Sequence, residues 1–305
     1  MKKIIYLALI GFILTACGDG IVEVKNISYE PRITVEGLLM PGKKVDRIRV
    51  FKNFKIDQQV SVLNALLDPN KTTVSITDDQ SGNIYDLSLH IPDSLEDINS
   101  YWFEYNGNDL QIMHNNSYTI EVNSEYGGQS LWTSSTTTVP PAGFKINSVN
   151  YSTLKFAQKK DNGDLEVFEV NIQRSPGITY YLATIRPLNN SYSNLIKNHL
   201  IGKLDSTDYD KNKIDLSFDT SWIQNTPEYS GESIMRLFWF DFYFYSEYEV
   251  IIYAADKNYR EFLQTYNRVQ EFDGNFHEAK FNFEGDGIGY FGSVIPDTLY
   301  INVIP

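Results

Sequence analysis

From Pro31 onward the chain is written in short runs in which apolar and polar residues alternate with a period of two. A strand turns successive side chains to opposite faces, so this alternation demands sheets with one buried face. In "RITVEGLLM" Ile33 and Val35 share such a face, and "VDRIRVF" places Val45, Ile48 and Val50 in a second short strand. "TTVSITDDQSGNIYDLSLHI" reads as a hairpin. Val74 and Ile76 go out, Asp78 to Asn83 turn, and Tyr85, Leu87 and Leu89 return. "NSYTIEVNSEYGGQSLWTSSTTTVPP" reads as another hairpin about Gly127-Gly128. It is closed by Pro140-Pro141, which cannot donate to a ladder. Its outbound strand sets Tyr118, Ile120 and Val122 on one face, like the corner strand of immunoglobulin-like and fibronectin-like sandwiches. Residues 31–142 are expected to form one such sandwich.

Residues 143–305 are expected to form a second β-rich domain. Val167, Val170 and Ile172 in "LEVFEVNIQ", and Tyr180, Leu182 and Thr184 in "ITYYLATIRP", are its candidate strand faces. The aromatic stretch "SIMRLFWFDFYFYSEYEVIIYAA" is interrupted by Arg236, Asp241, Ser246, Glu247 and Glu249. It holds no apolar window of about 18 residues, so it reads as one or two buried strands. "DKNYREFLQTYNRVQ" is the one helix expected after the leader. Tyr259, Phe262, Leu263, Tyr266 and Val269 recur at helical spacing, and Asn258 with Glu261 fits a capping box. The fold expected is mainly β: an N-terminal immunoglobulin/fibronectin-like β-sandwich, then a second β-rich domain carrying one late α-helix.

The first residues spell an address. Met1-Lys2-Lys3 is a basic start, Ile4 to Leu14 an apolar run, and Leu14-Thr15-Ala16-Cys17 the tetrad that closes it. This is the layout of a secretory leader, with an apolar segment of about eleven residues, too short to span a bilayer. The tetrad resembles a bacterial lipobox, whose cysteine is acylated and becomes the new N-terminus. The chain has 1 cysteine, and it stands here. No intrachain disulfide can form, so stability has to come from packed cores. Residues 1–16 are thus expected to be a lipoprotein signal peptide. Residues 17–30 are expected to be a lipidated tether reaching about 20 Å as a coil. One acyl chain holds a protein marginally, while two or more, palmitate among them, hold it stably.

Gly18 follows the cysteine and Asp19 comes one later, which by the usual sorting rule favours the outer membrane. Asp19 and Glu23 make a thin acidic surface-export tag, so a lipid-anchored position facing the cell surface is expected. The formal net charge of −13 becomes −15 once Lys2 and Lys3 leave with the leader. Such acidity discourages nucleic acid and anionic membrane surfaces as partners.

Chemical motifs are sparse. Gly287, Gly289 and Gly292 have the spacing G-x-G-x-x-G, but Ser293-Val294-Ile295-Pro296 and the strand-like "LYINVIP" follow them. Without a helix there is no dipole to hold a pyrophosphate, so no dinucleotide or other cofactor is expected. In "HEAKF" Phe281 stands where a second zinc-binding histidine would have to be, and His90, His114 and His199 lie in separate segments. No metal site is expected. Gly128-Gln129-Ser130 lacks the final glycine of a nucleophile elbow, and no catalytic residue can be named. Asp208, Asp210, Asn212 and Asp219 have some calcium-loop spacing, but Lys213 replaces the turn glycine, which favours a solvated acidic loop. With 21 Tyr, 18 Phe and 4 Trp, most aromatics must serve the cores. Trp102, beside the polar turn "NGND", is the candidate for contact with a ligand or partner.

Several segments in order resemble an uncharacterised family of Bacteroidota lipoproteins whose genes commonly lie beside those of TonB-dependent outer-membrane receptors. They are the lipobox, the opening Tyr29-Glu30-Pro31-Arg32-Ile33-Thr34-Val35-Glu36-Gly37, and Thr137 to Pro141 at the end of a sandwich strand. Tyr259 to Leu263 and Gly287-Ile288-Gly289-Tyr290-Phe291-Gly292 complete the series. The glycines then look like a structural landmark, suited to a crowded turn or to a place where an aromatic neighbour such as Phe291 leaves no room for a Cβ. The resemblance implies a non-enzymatic accessory or ligand-capture subunit of a β-barrel complex, with a TonB-dependent receptor as partner. The alternatives are a free-standing surface glycan- or peptide-binding module and a structural subunit in outer-membrane protein biogenesis.

Overall fold

Strand formation follows the alternation in the sequence. In the computed structural model, which describes residues 29–55, 61–92, 100–197, 206, 207, 209, 219–223, 231–266 and 279–305, sixteen strands are named. The first seven are β1 (Ile33–Leu39), β2 (Arg49–Lys52), β3 (Thr73–Asp78), β4 (Ile84–His90), β5 (Trp102–Glu104), β6 (Ser117–Tyr126) and β7 (Gln129–Thr138). Then come β8 (Lys145–Val149), β9 (Thr153–Lys155), β10 (Phe168–Gln173), β11 (Tyr181–Pro187), β12 (Asp219–Ile223) and β13 (Glu232–Leu237). The last three are β14 (Ser246–Ala255), β15 (Glu284–Gly285) and β16 (Gly287–Ile304). Helix α1 (Lys257–Tyr266) lies between β14 and β15. The protein is mainly β, as the sequence leads one to expect.

Pro31 to Pro305 form one compact unit built on three sheets. One sheet runs β15-β7-β6-β3-β4-β5, a second β13-β10-β8, and the third β12-β11-β14-β16-β1-β2 with β9 beside β16. Both expected hairpins are present, β3 with β4 and β6 with β7. Between β1/β2 and the first sheet lies a core of Ile33, Val35, Ile48, Val74, Ile76, Tyr118, Ile120, Val122 and Phe291. A second core, with Phe168, Val170, Ile172, Tyr181, Ile185, Met235, Tyr248, Val250, Ile252 and Ile301, fills the space between the other two sheets. On β10 the buried face is Phe168, Val170 and Ile172, so Val167 falls outside the true period. Both faces of β11 are covered: Tyr181, Ala183 and Ile185 point to the second core, while Tyr180 and Leu182 meet Val294 and α1 residues Tyr259 and Leu263.

Tyr118 builds a corner where the chain enters β6. Its side chain is fully buried, and its hydroxyl donates to the Gln111 carbonyl at 2.9 Å while accepting from the Met113 N–H at 2.9 Å. Those two backbone groups precede β6 and would otherwise lack a ladder partner.

The expected division at residue 142 needs one amendment. β16 serves both sandwiches: Gly287 to Ser293 pair in parallel with β1, and Val294 to Val303 pair antiparallel with β14. β15 likewise returns to the first sheet beside β7. The glycine segment is therefore strand, with its turn at Asp286 just before it. Gly289 lies at φ +102°, and a Cβ there would run into the Val35 backbone carbonyl. At Gly292 a Cβ would come within 2.9 Å of both Asp256 Oδ1 and Tyr259 Cβ.

These landmarks meet around Asp256, which is buried. Its carboxylate accepts from Thr137 Oγ1 at 2.7 Å and from the Tyr259 N–H at 3.0 Å, and its own N–H donates to the Ser293 carbonyl at 3.0 Å. Asp256 thus caps α1, not the expected pair Asn258 and Glu261. Asn258 Nδ2 instead donates to the Thr136 carbonyl at 2.7 Å and the Phe291 carbonyl at 3.2 Å, and Glu261 pairs with Lys280 at 2.7 Å. Phe262 and Tyr259 pack on Tyr290, with ring centroids 4.8 and 5.1 Å apart, so this part of the helical stripe faces inward, whereas Tyr266 is exposed. Val269 lies outside the described residues.

Candidate ligand groove

Where β1 ends and β6 begins, a groove of about 640 Å³ opens between residues 41–44 and 107–114. That volume falls in the usual range of small-molecule sites, roughly 300–1,000 Å³. Its first wall is the turn Pro41-Gly42-Lys43-Lys44, held by the Gly42 N–H to the Ile112 carbonyl and the Lys43 N–H to the Met40 carbonyl, each at 3.1 Å. The opposite wall carries Asn108, Gln111, Met113 and His114, and the Tyr118 hydroxyl pins it from behind. His114 Nδ1 lies 3.0 Å from the Pro140 carbonyl. A carbonyl only accepts, so Nδ1 carries a proton and a neutral ring keeps its acceptor on Nε2.

The lining contains Lys43, Lys44 and His114 but no carboxylate. Acids stand close by. Lys44 Nζ stands 4.0 Å from Glu104 Oε2. Asp109 takes the Tyr105 hydroxyl, and that hydrogen bond pushes Tyr105 up to about 12.

Trp102 is not part of the groove's lining and lies on strand β5 rather than on the turn that follows. It pairs across the ladder with His90, and the two rings stack with centroids 4.0 Å apart and planes 6° off parallel. Its Nε1 donates to Glu104 Oε2 at 3.4 Å, and His90 Nδ1 lies 3.9 Å from Glu104 Oε1. Glu104 therefore links Trp102, His90 and the groove residue Lys44. The indole is half-buried and its orientation is fixed.

Other sequence candidates do not join this site. Cys17, His199, His277, Glu278, Asp208, Asp210, Asn212 and Lys213 lie outside the described residues, while Asp219 opens strand β12. Among the described residues no three His, Cys, Asp or Glu side chains converge as metal ligands. Gly127 and Gly128, at φ +61° and +80°, form the β6–β7 turn, which places Ser130 on an exposed strand position. No helix among the described residues is long and apolar enough to cross a membrane. Sequence reasoning passed over Lys43, Lys44 and Met113. Their signal was a Pro-Gly turn followed by two adjacent cations in a chain with a large acidic excess.

Two solved structures are among those to which the chain is similar. The cryo-EM reconstruction of the native conformation of E. coli alpha-2-macroglobulin is 11% identical, with a TM-score of 0.23 over 88% of this chain and 14% of that one. The crystal structure of chicken CNTN1 FN1–FN3 domains is 11% identical, with a TM-score of 0.18 over 90% of this chain and 67% of that one. The chain thus spans a small part of the first, and at these scores the sheets described above, not the likenesses, define the fold. No curated protein gives a match. A family profile matches residues 21–298, almost the whole length, and the chain belongs to the family described as "Domain of unknown function (DUF4249)".

Proposed function

We propose that this protein is an outer-membrane lipoprotein, anchored through acylated Cys17, that captures ligand as a non-enzymatic accessory subunit of a β-barrel complex. Its partner is a TonB-dependent receptor in nutrient uptake, and it stands on the cell-surface side. The observation that carries the capture role is the groove. It has pre-formed walls and offers cations, amides and apolar surface without a carboxylate positioned to act as acid or base. The leader and its cysteine supply the anchor, and the resemblance read from the sequence supplies the partner. Mild detergent extraction of the protein tagged after Pro305 tests the partnership. A β-barrel receptor is expected to co-elute in comparable amount, and recovery of the lipoprotein alone contradicts the accessory role.

A second role, a surface glycan- or peptide-binding module acting without a barrel, is favoured by the rigid Trp102–His90 stack. In that case Trp102→Ala abolishes retention on immobilised glycans while the melting temperature stays put. Retention unchanged in the variant rules the stack out as the contact.

A further inference from the structure

We infer that a second copy of this chain joins strand β13 edge to edge, antiparallel, about a two-fold axis on Ile234. The joint is independent of the capture role. β13 is an outer strand of its sheet, with β10 on one side and no strand among the described residues on the other. The Arg174 N–H donates to the Gly231 carbonyl at 2.8 Å, so in the alternating ladder Ser233, Met235 and Leu237 also turn their backbone groups toward β10. The N–H and carbonyl groups of Glu232, Ile234 and Arg236 therefore point outward, where another strand can pair with them. The opposite edge of the same sheet is defended. There the β8–β10 ladder shifts register between Asn171 and Ile172, Lys145 opens the strand, and Asp297 Oδ2 takes the Ile146 N–H at 2.7 Å. β13 carries no proline and no lysine, and its register with β10 is unbroken.

Charge selects the occupant. An axis on Ile234 sets Glu232 of each copy against Arg236 of the other and Ile234 against its own counterpart. Each of these facing pairs then exchanges both N–H···O bonds. Moving the axis to Ser233 or Met235 would set a charged side chain against Ile234 instead. Within its own chain Glu232 accepts from the Asn171 amide at 2.9 Å and meets no cation among the described residues. Arg236 spends its Nε on Glu169 at 2.9 Å and keeps its other guanidinium donors for a second carboxylate. Ile234 is 46% exposed, and just past the strand Phe238 and Phe240 are exposed too, stacked with centroids 5.4 Å apart. The edge thus offers apolar surface flanked by opposite charges at equal distances from the axis, which is self-complementary.

The test is sedimentation velocity of the full-length protein with detergent micelles in excess. One edge strand makes a small joint, so the wild type is expected to pass from monomer to dimer between about 1 and 200 μM. Glu232→Arg alone and Arg236→Glu alone each set like charges face to face, and each should dimerise about tenfold more weakly or worse. Mixed in equal amounts, the two variants again oppose carboxylate to guanidinium at both ends of the joint. Their heterodimer should form about as tightly as the wild type. Should either variant melt early, Ile234→Cys decides. Facing Cα atoms about 5.5 Å apart permit a disulfide, so mild oxidation should give a covalent dimer beyond any that the wild type forms through Cys17. A wild type that stays monomeric overturns the inference and leaves the edge to a strand of some other protein. Single variants that dimerise like the wild type, a mixture no tighter than its components, or Ile234→Cys that does not cross-link overturn it as well.

Discussion

Gly289 occupies a backbone state that a side chain rarely tolerates, in the middle of a strand whose neighbour's carbonyl fills the space a Cβ would need. Gly289→Ala is therefore expected to cost ~3 kcal/mol, read as a lower urea midpoint at unchanged slope. A cost near zero would mean that β1 and β16 do not approach as described. Tyr118 gives a second residue-scale expectation. Tyr118→Phe keeps the ring in the core but leaves the Gln111 carbonyl and Met113 N–H without their partner, which should cost about 1–2 kcal/mol. The same device recurs elsewhere: the Tyr181 hydroxyl accepts from the Ser175 N–H, and the Tyr248 hydroxyl both accepts from Phe244 N–H and donates to its carbonyl, at 2.8 Å each. Tyr118 was legible in the sequence because Tyr-x-Ile-x-Val follows a polar turn. The glycines were legible as a landmark but not as strand residues, because what excludes their Cβ atoms comes from β1 and Asp256, far away in the chain.

At the level of elements, local periodicity gave the hairpins and the helix, whereas the joint between the sandwiches depended on pairings between distant segments. Nothing in the alternation of β16 says that it changes partner at Ser293. The same holds for the cap of α1, where Asp256 was hidden by a plausible pair two residues later. Asp256 also yields a pH expectation. Burial raises its carboxyl above the ordinary range, against hydrogen bonds from Thr137 and the backbone of Tyr259, Ser293 and Asn258 that pull it down. The folded state then holds this proton more tightly than the unfolded chain. Its contribution to stability is full below the ordinary carboxylate value, ~3.9, and is lost as pH rises through the raised one. The stability of the wild type relative to Asp256→Asn should accordingly fall with rising pH across that window and level off above it. A difference that grows with pH would contradict a carboxyl whose burial outweighs its hydrogen bonds.

For the whole molecule, one strand shared by two cores implies that neither sandwich can lose its packing without exposing part of the other. Calorimetry and circular dichroism should therefore report one coincident transition, and two well-separated ones would show that the cores are independent. The groove was illegible in advance because its walls come from two loops joined only by the fold, one on each side of β2 to β5. The proposed address rests on sixteen residues and one thiol, and the entire functional account depends on it. Mass spectrometry of the N-terminal peptide from the mature membrane protein tests this most directly. The account requires a chain beginning at Cys17 with fatty acids on its sulfur; an unmodified start, or a retained leader, would contradict it.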